Sequence, residues 1–349
     1  MKLFTCSVCQ QVLFFENVVC NSCGHALAYL PDRRLVSALR PGERAGEQLA
    51  LAAGGASYRL CKNQLEHAAC NWAIPAGTQG DYCFACSFNE VVPNLADEKA
   101  REAWRKLERA KRRLFYTLMG LGLPLDSRVN DPRGLAFAFK QDAAGEKVFT
   151  GHSDGLITIN IAEADDPFRE KTRQQMGEAY RTVLGHFRHE IGHYFEMRLI
   201  DGTPRVDSFR ALFGDEQADY QAAVDRHYKD GPPPDWHQRH VSAYASMHPF
   251  EDFAETWAHY LHMVETLETA RTYGLALRPQ PVGGAKVAEV RVPRLDFDDF
   301  NDLIAGWVPL TLAMNSLNRA MGMHDLYPFV LTEAVRTKLR FVHDLIESR

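Results

Sequence analysis

Cysteine is missing from the last three-quarters of this 349-residue chain: all 8 lie between Cys6 and Cys86. A secreted fold held by disulfides would spread them along its length, so the distribution points instead to clustered metal ligands in a reducing compartment. No apolar run reaches the roughly 18 residues that a membrane span needs. The opening residues, Met1 to Cys6, carry no apolar stretch of the secretory kind. Positive charge is not in excess either: 40 Lys and Arg against 45 Asp and Glu leave −5, which disfavours nucleic acid as a partner. With 46% hydrophobic and 24% charged residues, wholesale disorder is excluded. The expectation is a soluble, cytoplasmic protein with no membrane partner.

What is there begins with the cysteines. Cys6-x2-Cys9 and Cys20-x2-Cys23 flank a β-prone run, Val12 to Phe15, in the layout of a zinc ribbon. Each pair supplies two thiolates, and the four close a tetrahedron around a structural Zn²⁺; iron uses the same donor set. Gly24 suits the tight turn behind the second pair. A second set, Cys61, Cys70, Cys83 and Cys86, has one CxxC and two looser partners, with His67 as an alternative ligand. It reads as a second structural zinc site, or else Cys61 and Cys70 are buried small residues. The Gly- and Ala-rich stretch Arg40 to Ser57 reads as a linker. The expected division is a zinc ribbon over 1–40, a second cysteine-rich zinc-binding module over 41–93 and a single body over 94–349. Modules this small need their metals to hold a core, and they serve structure or the docking of a protein partner.

The body reads as α+β, mainly helical with a small sheet. A helix starts at Asn94, with Ala100, Trp104, Leu107, Leu114 and Leu118 at helical spacing and a basic face (Arg105, Lys106, Arg109, Lys111, Arg112, Arg113) expected to be solvated. Strands are expected over Leu135–Phe139, Lys147–Thr150 and Leu156–Ile161, the last as a sheet edge for an extended substrate. Helices follow over Pro167–Leu199, Arg210–Tyr228, Pro249–Tyr273, Asp302–Met321 and Thr332–Glu347.

His189-Glu190-Ile191-Gly192-His193 is an HExxH motif in a helical stretch. Spacing i, i+4 puts both imidazoles on one face, able to grip one Zn²⁺, and sets Glu190 beside it as a base for the metal's water. A third ligand is needed. The longer metzincin pattern fails, because Glu196 and Leu199 stand where it requires Gly and His. Downstream, Pro249 suits the first turn of a helix on which Glu251 and Glu255 share a face at i, i+4. Two carboxylates among Phe250, Phe253, Ala254 and Trp257 are costly to bury unpaired. Glu251 as zinc ligand, with Glu255 accepting from a ligand imidazole, satisfies both. The other reading is an exposed acidic face; the rival ligands are Glu196, Asp219 and His227.

HEIGH followed by EDFAE, with Tyr244 seven residues before Glu251, resembles the gluzincins of the lethal-factor type. More closely, the chain resembles the bacterial zinc-binding metallopeptidases that carry an N-terminal zinc ribbon. The matching stretches are CSVC…CNSCG, CNW, GHSDGLITINIAEAD, RHEIGHYF, SAYASMHPFEDFAETWAHYLH and NRAMGMHDLYPFVL, which together cover almost the whole chain. The resemblance implies a zincin-like domain in which His189, His193 and Glu251 bind the catalytic zinc. It makes Glu190 the base, Tyr244 the residue that steadies the oxyanion and Glu255 the supporting carboxylate. His186, His240 and His248 are expected to be structural rather than helpers of Tyr244. The expected activity is zinc-dependent hydrolysis of an amide bond in a peptide or protein, with one catalytic and two structural zincs. A zinc-dependent adaptor without catalysis, or an amidohydrolase of non-peptide amides, is the alternative. An intact Glu190 argues against the adaptor, since a purely structural zinc has no use for a base.

Overall fold

Short strands occupy the first part of the chain and long helices the rest, in a computed structural model that describes residues 1–143, 145–176, 178–280, 282–283, 290–291 and 299–348. With 46% helix and 16% strand the class is mixed. Contacts divide the chain into two units: Met1–Met119 with Pro124–Asp165, and Gly120–Leu123 with Asp166–Arg349.

In the first unit, Phe4–Thr5 pairs with Val12–Leu13 to frame the first cysteine pair. Five strands then pair in chain order as an antiparallel meander: Leu27–Leu30, Leu35–Pro41, Glu47–Ala50, Ala56–Leu60 and Ala73–Pro75. The stretch expected as a linker is the middle of this sheet, with Leu39 opposite Ala50 and Gln48 opposite Tyr58. Its glycines mark turns: Gly46, Gly54 and Gly55 have φ of +77°, +66° and +84°, which other residues resist. Leu30, Leu39, Ala50 and Tyr58 form the buried face.

A second sheet runs in the order Gly151–Ser153, Leu156–Asn160, Ala136–Lys140, Asn89–Val91. Leu156–Asn160 is bonded on both sides, so it is not the edge expected for it; the outer strand is Gly151–Ser153. Nor is Lys147–Thr150 a strand. Its main-chain groups at Val148 are taken by side chains: Val148 N donates to Asp142 Oδ1 and Val148 O accepts from Asn160 Nδ2, both at 2.9 Å. The helix expected from Asn94 is Glu98–Gly120, one turn later, because Asp97 rather than Asn94 accepts from the first free amides, those of Lys99 and Ala100.

In the second unit, the helix expected over Pro167–Leu199 is two, Asp166–Gln175 and Val183–Leu199, and 177 between them lies outside the described residues. Thr182 starts the second by accepting from Gly185 N at 3.0 Å. Arg210–Tyr228 is likewise two helices, Val206–Phe213 and Tyr220–Asp230, separated at Gly214 with φ +105°. The remaining long helices are Pro249–Thr272, Phe300–Ala320 and Glu333–Glu347. Pro249–Thr272 is central: most of its 24 residues are buried, as expected of a helix covered on all sides. It crosses Val183–Leu199 where Gly192 meets Ala254, and a Cβ on Gly192 would come within 2.9 Å of the Ala254 Cα. Phe195 stacks on Trp257 beside this crossing, at 4.9 Å and 23°. Among the described residues no helix is long and apolar enough to cross a membrane.

Candidate metal centres

Both cysteine sets converge. Cys6 Sγ lies 3.7 Å from Cys23 Sγ, and Cys9 Sγ lies 3.6 Å from Cys20 Sγ. In the second set Cys70 is 3.6 Å from Cys83 and 3.8 Å from Cys86. A disulfide would bring sulfurs to about 2.0 Å, whereas corners of a tetrahedron about 2.3 Å from a zinc ion lie about 3.8 Å apart. The thiols are therefore spaced as a tetrahedral metal requires, and the donor sets fit zinc. In the ribbon, the residue after each cysteine pair turns the chain with a positive φ, Gln10 at +60° and Gly24 at +74°. His67 is not in the second group; its ring packs against Trp104 instead.

The two thiolate groups differ in their surroundings. In the first, Cys9 is exposed and Cys23 half-buried; in the second all four are buried. Backbone amides of Trp72 and Cys83 donate to Cys70 and Cys61 at 3.3 and 3.4 Å. The helix Glu98–Gly120 supplies buried charge. Glu108 sits 3.8 Å from Cys86 Sγ and pairs with Lys111 (2.8 Å) and Arg112 (3.5 Å), all three buried. Burial works against the Arg112 charge, but Cys70, Glu108 and Cys86 more than restore it, so its pKa is raised. The basic face expected to be solvated is thus partly interior. A four-thiolate metal group carries net negative charge, and buried cations offset it.

In the second unit His189, His193 and Glu251 bring their ligand atoms within 4.8 Å of one another. His189 Nε2 is 3.1 Å from His193 Nε2 and 3.0 Å from Glu251 Oε2, and His193 Nε2 is 3.6 Å from the same oxygen. Corners of a tetrahedron about 2.0–2.1 Å from zinc lie about 3.3 Å apart, so this triangle fits one face of such a site. Orientation comes from the next layer. His189 Nδ1 donates to Glu255 Oε1 at 2.8 Å, which leaves Nε2 as the free donor atom. Ser242 Oγ donates to the other Glu255 oxygen at 2.7 Å, and Phe250 stacks on His193 at 3.8 Å.

The electrostatics call for a cation. Burial penalises every charge here, yet His193 and His189 hold the Glu251 carboxyl well below its ordinary range, and His189 holds Glu255 down to about 2. Burial likewise opposes charge on His189, but Glu251 and Glu255 push its pKa well up. A proton on His189 thus occupies the role for which a metal ion would compete.

Glu190 is buried on the same helix, next to His189. Tyr244 lies in the short 3-10 turn Tyr244–Ser246, its ring 5.8 Å from that of His189. Burial, then Glu251, Tyr220 and Glu190, raise its pKa well above the ordinary phenol, so it remains a hydrogen-bond donor. Of the rival ligands, Asp219 caps Tyr220–Asp230 by accepting from Ala222 N at 3.0 Å, and Glu196 and His227 fall outside the ligand group. His248 caps the central helix by accepting from Phe250 N at 3.1 Å. His240 contacts Asp252 (3.1 Å), which Lys338 also holds, at 2.5 Å. His186 is half-buried, and its removal from water drives its pKa well down. A separate cavity of about 800 Å³ is bordered by the Glu170–Arg173 and Arg319–Asp325 pairs and contains none of the ligand group.

Three residues of this centre escape a reading of the sequence. Phe250 and Ser242 lie inside the motif that carries Glu251, and an unassigned polar or aromatic side chain there is a signal. Tyr220, whose hydroxyl donates to Glu251 Oε1 at 2.8 Å, sits 31 residues away beyond a helix break, and no spacing links it to the site. Burial, then Glu251, raise its pKa, eased in part by the neighbouring Tyr244 hydroxyl.

Two thiolate-lined centres and an HExxH helix completed by a glutamate from a second helix define a class of zinc-binding protein. Residues 100–345 match the family described as "Putative zinc-binding metallo-peptidase", and residues 3–97 match a zinc-ribbon domain. The chain belongs to this zinc-binding metallopeptidase family and carries its zinc ribbon at the N-terminal side. It is similar to uncharacterized proteins of Mycobacterium bovis and Mycobacterium tuberculosis, each 43% identical over 350 residues, covering 100% of this chain and 96% of the relative. No solved structure matches it.

Proposed function

We propose that the protein is a zinc-dependent peptidase with a zincin-like catalytic domain, one catalytic zinc and two structural zincs. The observation that carries this reading is the triangle of His189, His193 and Glu251 donor atoms with Glu190 adjacent on the same helix. Zinc, when bound, would supply a Lewis acid and lower the pKa of its water toward ~7. His189, His193 and Glu251 hold the ion, and Glu255 fixes the His189 tautomer. Glu190 takes the proton from the attacking water and returns it to the leaving amine. Tyr244 donates to the oxygen on which negative charge develops, where a donor is worth most. Docking of a protein substrate through the first ribbon is part of the reading; exposed Val12 and Phe14 there support it. Thiolate centres of this kind favour a reducing compartment such as the cytoplasm.

The test compares wild type with Glu190→Gln on a proteome from the source cell, with new chain termini mapped by mass spectrometry. The variant keeps its zinc and loses ~10²–10⁴ in turnover. Termini that arise only with wild type support the peptidase. Matching samples, with zinc present in both, overturn it in favour of the adaptor or of a non-peptide amidohydrolase.

A further inference from the structure

The Tyr220 hydroxyl has no part in the chemistry above, yet it engages a proposed metal ligand. It donates to Glu251 Oε1 at 2.8 Å, while Oε2 faces the imidazoles at 3.0 and 3.6 Å. The two carboxylate oxygens are thus divided between two tasks. A carboxylate free at both oxygens can bind a metal through one or both. Two imidazoles and a chelating carboxylate would fill four positions, and water would then have to enter as a weaker fifth ligand. We propose that Tyr220 is a positioning residue that restricts Glu251 to single-oxygen ligation and so keeps the fourth metal position open. The inference rests on the His189–His193–Glu251 centre proposed above.

The hydroxyl is held in place by the chain around it. Tyr220 opens the helix Tyr220–Asp230 directly after its cap, Asp219. His248 joins this start to the start of the central helix: its Nε2 donates to Ala218 O at 3.0 Å, its Nδ1 accepts from Phe250 N, and its ring packs edge-on to Tyr220 at 5.3 Å. One imidazole therefore sets Tyr220 relative to Glu251. Packing does not explain the tyrosine, since the residue is 43% exposed and the helix buries only Ala223. Its hydroxyl bond is the distinctive contact.

The experiment uses the full-length chain with zinc in the thiolate centres and cobalt(II) in the His/Glu centre, as wild type and as Tyr220→Phe. Cobalt absorbs strongly in the visible when four-coordinate and more weakly when five-coordinate. Wild type is expected to show the stronger band and to shift on addition of azide, a small anion that takes the open position. Tyr220→Phe is expected to show a weaker band and to bind azide ~10–100-fold more weakly, the usual size of an outer-layer loss. Its thermal midpoint should stay near wild type, as a merely structural role would not allow together with a changed spectrum. Identical spectra and azide affinities overturn the inference. If Tyr220→Phe does not fold, a high-resolution structure of the zinc-loaded wild type decides: both Glu251 oxygens on the metal with Tyr220 intact would also overturn it. If cobalt uptake is the same in wild type and Glu251→Ala, the centre itself is misassigned and both readings fall.

Discussion

Between Cys6 and Cys86 each group of donors comes as four thiols, whereas His189, His193 and Glu251 come as three atoms of two kinds. Four donors satisfy zinc and leave no room for a substrate; three leave one position for water. The surroundings follow the same division. Around the second cysteine group lie Lys111 and Arg112, cations that offset thiolate charge and are both paired with Glu108. Around the histidines lie Glu190, Glu255 and two tyrosines, groups able to orient ligands or move protons. Under the proposed function, donor count and neighbouring charge together separate a centre that holds the fold from one that does chemistry. The two thiolate groups differ as well, since Cys9 reaches solvent while Cys61, Cys70, Cys83 and Cys86 do not.

The largest effect that would sharpen this contrast is Cys70→Ser. It removes one of four donors and part of the negative charge that the buried Arg112 offsets. The expected loss exceeds about 4 kcal/mol, with the first unit unfolding while the second keeps its metal. Denaturant unfolding followed by zinc analysis checks it; a variant as stable as wild type would mean that the second group needs no metal.

Acid should act on the second unit. His259 is buried against Tyr327, whose hydroxyl is 2.7 Å from its Nδ1, and burial lowers its pKa to about 4. Below its unfolded value of ~6.5 the unfolded chain takes up a proton that the folded chain refuses. Stability is therefore full above ~6.5 and is lost as pH falls toward about 4, by on the order of 2–3 kcal/mol at pH 4.5. Thermal midpoints across pH 4.5–7.5 measure this, and His259→Gln should flatten the dependence. An unchanged slope would contradict a buried neutral His259.

Smaller again is Glu255→Ala. It frees His189 to turn and is expected to weaken zinc in the His/Glu centre by ~10–100-fold, leaving the thiolate zincs untouched. Competition with a calibrated chelator measures the change; equal affinity would mean that the 2.8 Å contact to His189 does no orienting.

What the sequence makes legible is local. The i, i+4 spacings of His189/His193 and Glu251/Glu255 survive into the structure because a helix fixes them whatever surrounds it. The two CxxC pairs of the ribbon are legible for the same reason. The strands over 41–60 are not, because glycines that mark hairpin turns resemble glycines in a linker until the pairing partner is known. Burial of Lys111 and Arg112 is hidden because, beyond Glu108 on the same helix, the negative charge beside Arg112 arises only when distant cysteines converge. Tyr220 is hidden because its bond to Glu251 depends on the turn at Gly214 and the cap at Asp219.

Zinc counted per chain during graded chelation tests the contrast between closed and open centres most directly. Full loading should give three zincs, one for each donor group. A mild chelator should remove one and abolish hydrolysis, and Glu251→Ala should lack that same one from the start. The thiolate zincs should leave later, the half-exposed ribbon before the buried second group. If hydrolysis survives loss of the first zinc, or if Glu251→Ala still holds three, the assignment of an open catalytic centre to His189, His193 and Glu251 is contradicted.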